Sequence, residues 1–300
     1  MFKTLDITKN FLAIEDEYSS FDHSQIVVVP APYEKTVSYG GGAKHGPAGI
    51  LEASHYVEFY DEETEKEVYK DFGIATIEPL DFEGKTDVQA LEELYNTVKT
   101  LISLNKFVVT LGGEHTISQA TIAAYAEKYP NLSVLQFDAH SDLRMEYQGN
   151  KFSHASVMAR VCEFLDPHRV VQVGIRAQCK EEAEFIKEKG ITTLYAHEIR
   201  EGKYTKVLKP WDEYVLEHLT DHVYVTFDVD GFDPSIMPST GTPEPNGLFW
   251  WETMQILKKV GRRKKVVGCD IVELAPVEGV SHPDLLTAKL ASKMMNYFVG

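Results

Sequence analysis

Ser133-Val-Leu-Gln-Phe-Asp-Ala-His-Ser-Asp142 joins an apolar run to two carboxylates and an imidazole. Residues two apart in an extended backbone point to the same side. We therefore predict that Asp138, His140 and Asp142 converge where a strand over residues 133–137 ends. An apolar strand followed by polar residues is typical of a parallel sheet whose site lies at the carboxyl ends of the strands.

Two further stretches have the same design. Val225-Thr-Phe-Asp-Val-Asp-Gly231 places Asp228 and Asp230 after an apolar strand, and Val108-Val-Thr-Leu-Gly-Gly-Glu-His115 ends a strand in two glycines before His115. Together the three stretches offer four carboxylates and two imidazoles. Such a set suits a hard or borderline divalent ion such as Mn²⁺, and four negative charges suit two ions bridged by shared carboxylates. The sequence predicts a dinuclear metal site.

The composition is that of an ordinary globular protein. The 300 residues are 43% hydrophobic and 25% charged, which predicts a single domain over residues 1–300 with a large core. The net charge of -16 argues against a nucleic-acid partner, since basic residues cluster only at 262–265. The three cysteines are too few and too scattered for a disulfide framework. With no targeting segment and no apolar run of about 20 residues, we expect a cytoplasmic protein without a membrane partner.

Apolar runs alternate with amphipathic segments along the chain. Strands are predicted at 25–30, 108–112, 133–138, 170–174, 192–195, 222–227 and 265–270, and helices at 46–54, 87–104, 116–128, 154–165, 180–189, 209–219, 248–260 and 283–298. The charged segment 60–69 is predicted to be an exposed connection. This alternation predicts a three-layer α/β fold, a mostly parallel sheet of about eight strands with helices on both faces.

Five motifs resemble, in order and spacing, those of the ureohydrolase family of arginases and agmatinases. They are Gly112-Gly-Glu-His115, Asp138-Ala-His-Ser-Asp142, Ser153-His154, Phe227-Asp-Val-Asp-Gly-Phe-Asp-Pro234 and Asp270-Ile-Val-Glu-Leu-Ala-Pro276. The resemblance covers residues from about 25 to 295. It implies the arginase-like three-layer fold, two Mn²⁺ ions per subunit, hydrolysis of a guanidino group to urea and an amine, and a homo-oligomer, a trimer or hexamer.

The resemblance also implies roles for individual residues. One ion would be held by His115, Asp138, Asp142 and Asp228, and the other by His140, Asp138, Asp228 and Asp230. Asp142 would also act as the base, and His154 would be the proton shuttle, as suits a side chain that titrates near neutral pH. Glu273 would grip the guanidinium of the substrate with two charge-assisted hydrogen bonds.

The substrate is the least determined part of this interpretation. Where arginases carry an Asn-Thr-Pro run, this chain reads Leu143-Arg-Met-Glu-Tyr147, which argues against arginine. Glu146 is available for an amine tail, so agmatine is the first choice, with putrescine and urea as products. Arg144 is paired with Glu146, turned outward, or a sign of an acidic-tailed substrate such as guanidinobutyrate or formiminoglutamate. A dinuclear amide or phosphoester hydrolase and a non-catalytic relative are the alternatives from other classes.

Overall fold

An eight-stranded sheet forms the centre of the computed structural model, which describes residues 2–204 and 209–299. The strands are β1 Ile26–Ala31, β2 Ile74–Thr76, β3 Phe107–Gly112, β4 Leu132–Phe137, β5 Val170–Ile175, β6 Thr192–Tyr195, β7 His222–Asp228 and β8 Lys265–Val272. Their spatial order is β2-β1-β3-β8-β7-β4-β5-β6, and every pairing between them is parallel. The predicted sheet is confirmed, and all carboxyl ends therefore lie on one rim.

Helices alternate with the strands. They are α1 Asp16–Ser19, α2 Gly46–Ser54, α3 Val68–Phe72, α4 Asp87–Ser103, α5 Ser118–Lys128, α6 Val157–Val161, α7 Lys180–Lys189, α8 Ala196–Arg200, α9 Trp211–His218, α10 Trp250–Arg263 and α11 His282–Phe298. The predicted helix 209–219 begins directly after residues 205–208, which lie outside the described chain. The predicted helix 154–165 is shorter than expected at both ends, because His154–Ser156 form a 3₁₀ turn and α6 ends at Val161.

The strands are buried on both faces. Ile26 and Val28 of β1 belong to one core cluster, to which α2, α9, α10 and α11 contribute, whereas Val27 and Val29 belong to a second, with α4, α5, α6 and α7. Successive side chains of a strand point to opposite faces, so this division shows a helical layer on each side of the sheet. The three-layer prediction is confirmed.

Residues 60–69 depart from the predicted exposed connection. Asp61 pairs with Lys66 in an isolated antiparallel bridge, and Val68 and Tyr69 are buried in α3. The Asp61 side chain, only 2% exposed, lies 2.8 Å from the Nζ of Lys293 on α11, which is equally buried. A charged sequence looks exposed, but opposite charges that meet between elements can be buried together. The short strand β2 follows this segment and escaped prediction.

Lys293→Met is expected to lower the free energy of unfolding by about 3 kcal/mol, because it leaves the Asp61 carboxylate buried without its cation. Glu62 and Glu63 also approach the Lys293 ammonium, at 3.1 and 3.2 Å. Chemical denaturation of Lys293→Met beside Lys289→Met, one turn earlier on α11, measures the effect. Equal stabilities of the two variants would show that the buried ion pair contributes nothing.

Candidate metal centre and substrate cleft

Adjacent strands deliver the predicted ligands to one place. β3, β8, β7 and β4 are consecutive neighbours in the sheet. His115 follows β3, Asp138 follows β4, and Asp228 ends β7. Since these strands are parallel, their polar ends meet at the same rim. All six residues predicted as metal ligands are found there.

The first cluster surrounds the Nδ1 atom of His115. The carboxylate oxygens of Asp142, Asp138 and Asp228 lie 3.0, 3.1 and 3.5 Å from this atom, and all four side chains are buried. The Nδ1 atom has no hydrogen-bond partner. A buried nitrogen that faces carboxylates without a hydrogen bond fits a metal ligand, so His115, Asp138 and Asp142 could hold an ion.

The second cluster is formed by Asp138, His140 and Asp230, which could hold another ion. The Nδ1 atom of His140 lies 2.9 Å from Asp230 Oδ2 and 3.7 Å from Asp138 Oδ1. Asp138 presents Oδ2 to the first cluster and Oδ1 to the second, so it could contribute a ligand to each. Asp228 lies beside His115, and its Oδ1 accepts a hydrogen bond of 2.8 Å from the backbone N–H of Asp230. Its share in the second ion remains a prediction.

The backbone brings the ligands together by a different path from the one expected. β4 ends at Phe137, before the first ligand, and Asp142 has a φ of 53°. A non-glycine residue in this left-handed region is uncommon and is often found at functional sites. Asp138, His140 and Asp142 therefore converge through a turned loop and not through a continued strand.

The two glycines before His115 lie against neighbouring parts of the chain. A Cβ on Gly113 would lie 2.0 Å from the carbonyl oxygen of Tyr33, and one on Gly112 would lie 2.7 Å from a Val272 methyl group. Their small size lets β3 pass the neighbouring chain.

Residues behind His115 fix its ring. Thr226 Oγ1 donates to Asp270 Oδ1 at 2.7 Å and lies 2.9 Å from His115 Nε2. Because the only hydroxyl hydrogen of Thr226 is engaged by Asp270, His115 Nε2 carries a hydrogen and donates it to Thr226. The Nδ1 lone pair then faces the carboxylates, as a metal ligand requires.

A similar support holds Asp138. Gln136 Nε2 donates to Asp138 Oδ2 at 2.7 Å, and Gln172 Nε2 donates to Gln136 Oε1 at 2.7 Å. Sequence reasoning did not identify Gln136 or Thr226, although a signal existed. Each is a polar residue in an apolar strand, two positions before a ligand, and thus on the same face as that ligand.

The charges at the site depend on one another. Burial raises the pKa of Asp142 to about 7, and the charge of Asp138 adds to this effect. Burial and the charges of Asp230 and Asp138 likewise raise the pKa of Asp228 well above its usual value. Burial opposes the charged form of His140, but the Asp230 and Asp138 carboxylates raise its pKa to about 12. Protons thus balance part of the negative charge where cations would otherwise do so.

The affinity of the site for metal ions is therefore expected to decrease as the pH is lowered. Ions require an ionised Asp142 and a neutral His140. Below a pH of about 7, Asp142 takes up a proton that an ion must displace, so affinity for Mn²⁺ should weaken by at least about tenfold per pH unit. Above that pH, His140 still releases a proton on binding. Titration calorimetry in buffers of different ionisation enthalpy counts these protons, and binding without proton release would contradict the assignment.

A cleft of about 340 Å³ opens above the clusters. Its lining includes the ligands His140 and Asp142 and the predicted shuttle His154. Burial and the neighbouring His140 and His115 lower the pKa of His154 to about 4, below the near-neutral value expected of a proton shuttle, so its ring is neutral at neutral pH. Glu273 lines a narrower cavity that shares His154 with the cleft. The structure thus places the predicted shuttle and clamp beside the clusters.

Glu273 is held by its backbone and by one oxygen. It follows β8 with a φ of 65°, and its Oε1 accepts a hydrogen bond of 2.7 Å from the backbone N–H of His115. Burial raises the pKa of Glu273 well above its usual value, and the charge of Glu114 adds to this effect. Because each carboxylate oxygen accepts two hydrogen bonds, both oxygens can still contact a guanidinium.

Glu146, predicted to meet an amine tail, does not lie at the cleft, and of the alternatives for Arg144 the structure favours a pairing with Glu182 over one with Glu146. Glu146 is exposed and does not line the cleft, whereas Arg144, Glu182 and Glu244 do. Arg144 Nε lies 3.8 Å from Glu182 Oε2, and its guanidinium is 5.2 Å from the centre of the Tyr147 ring. Glu182 comes from α7, distant in sequence, so only the fold brings it to Arg144.

The arginase family model matches residues 24–300. The chain belongs to the arginase family. The N(1)-aminopropylagmatine ureohydrolase of Synechocystis sp. is 40% identical to it over 296 residues, which are 97% of this chain and 94% of that relative. The agmatinase of Bacillus cereus is 37% identical over 265 residues, 87% of each chain.

A solved structure supports the same assignment. The agmatine ureohydrolase of Thermoplasma volcanium has a TM-score of 0.86 and 27% identity to this chain, and covers 97% of this chain and 94% of its own. The predicted ureohydrolase resemblance and arginase-like fold are confirmed, and this member of the arginase family is a hydrolase of the agmatinase type. No helix within residues 2–204 and 209–299 is long and apolar enough to cross a membrane.

Proposed function

We propose that this arginase-family hydrolase uses two Mn²⁺ ions to cleave the guanidino group of a small guanidino amine, with agmatine as the substrate and putrescine and urea as products. The observation that carries the proposal is the pair of His/Asp clusters that share Asp138. Bound there, two such ions would supply a water of lowered pKa for attack on the guanidinium carbon. A guanidinium carbon is a poor electrophile, so an unactivated water would not suffice.

The chain's own residues would bind the substrate and move protons. Asp142, beside both His115 and the cleft, accepts the proton of the attacking water and passes it to the departing nitrogen. Glu273 holds the guanidinium, because a carboxylate matches its planar donors. His154 is neutral near pH 7 and can exchange a proton with the amine product at the cleft wall.

The charges of the cleft support an amine tail. Glu182 balances the charge of Arg144, which removes the main argument for an acidic substrate tail. Glu244 also lines the cleft and forms no ion pair within the described chain, so its carboxylate is free to meet an ammonium group. N(1)-Aminopropylagmatine is the second candidate. The cleft of about 340 Å³ leaves room for the longer amine.

Urea release tests the proposal. The Mn²⁺-loaded protein should release urea from agmatine or N(1)-aminopropylagmatine faster than from arginine or guanidinobutyrate. Glu244→Gln should raise KM for the amines roughly three- to tenfold, because one partly exposed charge pair with the substrate is lost. The KM for guanidinobutyrate should not change. Glu58→Gln, an exposed carboxylate outside the cleft, is the control. Preference for guanidinobutyrate would overturn the amine assignment, and absence of urea from every compound would overturn the proposed reaction.

A further inference from the structure

We propose that Glu114 and Thr36 are positioning residues that fix the orientation and the tautomer of His154. This inference rests on the proposed function, in which His154 exchanges a proton at the cleft. Neither residue was assigned a role by the sequence motifs. Glu114 belongs to the Gly112–His115 motif, whereas Thr36 belongs to the loop after β1, so the two meet only in the folded chain.

The side chain of Glu114 is hydrogen-bonded to the loop after β1. Its carboxylate is buried, and its Oε1 accepts a hydrogen bond of 2.8 Å from the backbone N–H of Lys35 and another from the backbone N–H of Thr36. Its Oε2 lies 3.1 Å from the hydroxyl of Thr36. Three donors from one short loop thus converge on a single buried carboxylate, which fixes the place of Thr36 relative to the sheet rim.

Thr36 in turn contacts His154 twice. Its Oγ1 accepts a hydrogen bond of 3.1 Å from the backbone N–H of His154 and lies 3.0 Å from the ring atom Nδ1. The loop residue Ser38 lies at the opposite side of the ring, with its Oγ 3.4 Å from Nε2. The His154 ring is therefore held by the loop that Glu114 orders.

The hydrogen bonds of the Thr36 hydroxyl determine the tautomer of His154. An ionised carboxylate can only accept, so with Glu114 ionised the single hydroxyl hydrogen of Thr36 is donated to Glu114 Oε2. Thr36 Oγ1 is then an acceptor for both contacts with His154, and the hydrogen of the neutral ring lies on Nδ1. The lone pair is consequently on Nε2, which becomes the atom that takes up or releases the proton. This is the logic by which an acid–base histidine is oriented by a partner on its other nitrogen.

The chain offers variants that separate this role from simple loop support. Thr36→Val keeps the volume of the side chain and removes the hydroxyl, and Thr36→Ser restores it. In Glu114→Gln, the amide oxygen can accept both backbone hydrogen bonds while the amide nitrogen donates to Thr36. The threonine hydrogen would then turn to Nδ1 and force the hydrogen of the ring onto Nε2. Thr8→Val, which removes another threonine–carboxylate contact at the surface, is the matched control.

The test is a double-mutant cycle with His154→Asn, using Mn²⁺-loaded protein whose metal content is measured for every variant. Thr36→Val and Glu114→Gln should each lower kcat roughly tenfold and leave KM within about twofold of wild type. The loss is smaller than the roughly 10²–10⁴-fold contribution of general acid–base catalysis, because the imidazole is still present but poorly oriented. In the His154→Asn background, both effects should disappear, because there is no longer an imidazole to position. Thr36→Ser should recover kcat to within about threefold.

Equal losses of kcat in both backgrounds, or a loss of bound metal in place of a loss of kcat, would overturn the inference. So would an active wild type that is unaffected by His154→Asn. Should Thr36→Val fail to fold, Glu114→Gln alone still decides, because it conserves size and both backbone hydrogen bonds. The proposed reaction fails separately, when the wild type itself releases no urea from any guanidino compound.

Discussion

Asp230→Ala is expected to lose one of two bound metal ions and roughly a thousandfold in urea release, about 4 kcal/mol in activation free energy. Asp230 Oδ2 lies 2.9 Å from His140 Nδ1, and its Oδ1 accepts a hydrogen bond of 2.9 Å from the backbone N–H of Ala139. Removal of the carboxylate therefore takes a ligand from the second cluster and releases the turn that carries His140. The first cluster keeps His115, Asp138 and Asp142.

Elemental analysis after dialysis against Mn²⁺, combined with a urea assay, measures both effects on one sample. Asp221→Ala is the control, because Asp221 is exposed and directly precedes β7, whereas Asp230 follows the other end of that strand. This control should retain both ions and full activity. An Asp230→Ala protein with two ions and normal turnover would show that the second cluster is not a metal site.

Glu273→Gln is expected to keep both ions and lose about a hundredfold in kcat/KM, close to 2.7 kcal/mol. The amide cannot offer a guanidinium two charged acceptors. It can still accept the 2.7 Å hydrogen bond from the His115 backbone, so the metal clusters should stay intact. This outcome separates substrate binding from metal binding, which Asp230→Ala does not.

Steady-state kinetics with agmatine and metal analysis measure this second effect. Glu278→Gln, a change of the exposed carboxylate five residues further on, is the control and should behave as wild type. Loss of metal from Glu273→Gln would mean that its contact with the His115 backbone is its main role. An unchanged kcat/KM would mean that the guanidinium is bound elsewhere.

The sequence alone determined the layers of this protein and the identity of the groups at its site. Strands that are buried on both faces must be apolar throughout, and a strand that ends in Asp or His must present it at a rim, so both features are written in local patterns. His115, Asp138 and Asp228 could be found in this way. Lys293, by contrast, reads as a surface residue until its partner Asp61 is seen.

Only the tertiary structure decided which groups face each other. Thr226 and Asp270 are brought to His115, Glu182 to Arg144, and Thr36 to His154, by elements distant in sequence. Hydrogen bonds and ion pairs depend on distances of a few ångströms between atoms, and local periodicity does not contain those distances. Residue types and spacing therefore predict what chemistry is available, whereas tautomers, charge balance and substrate contacts depend on the tertiary contacts between distant elements.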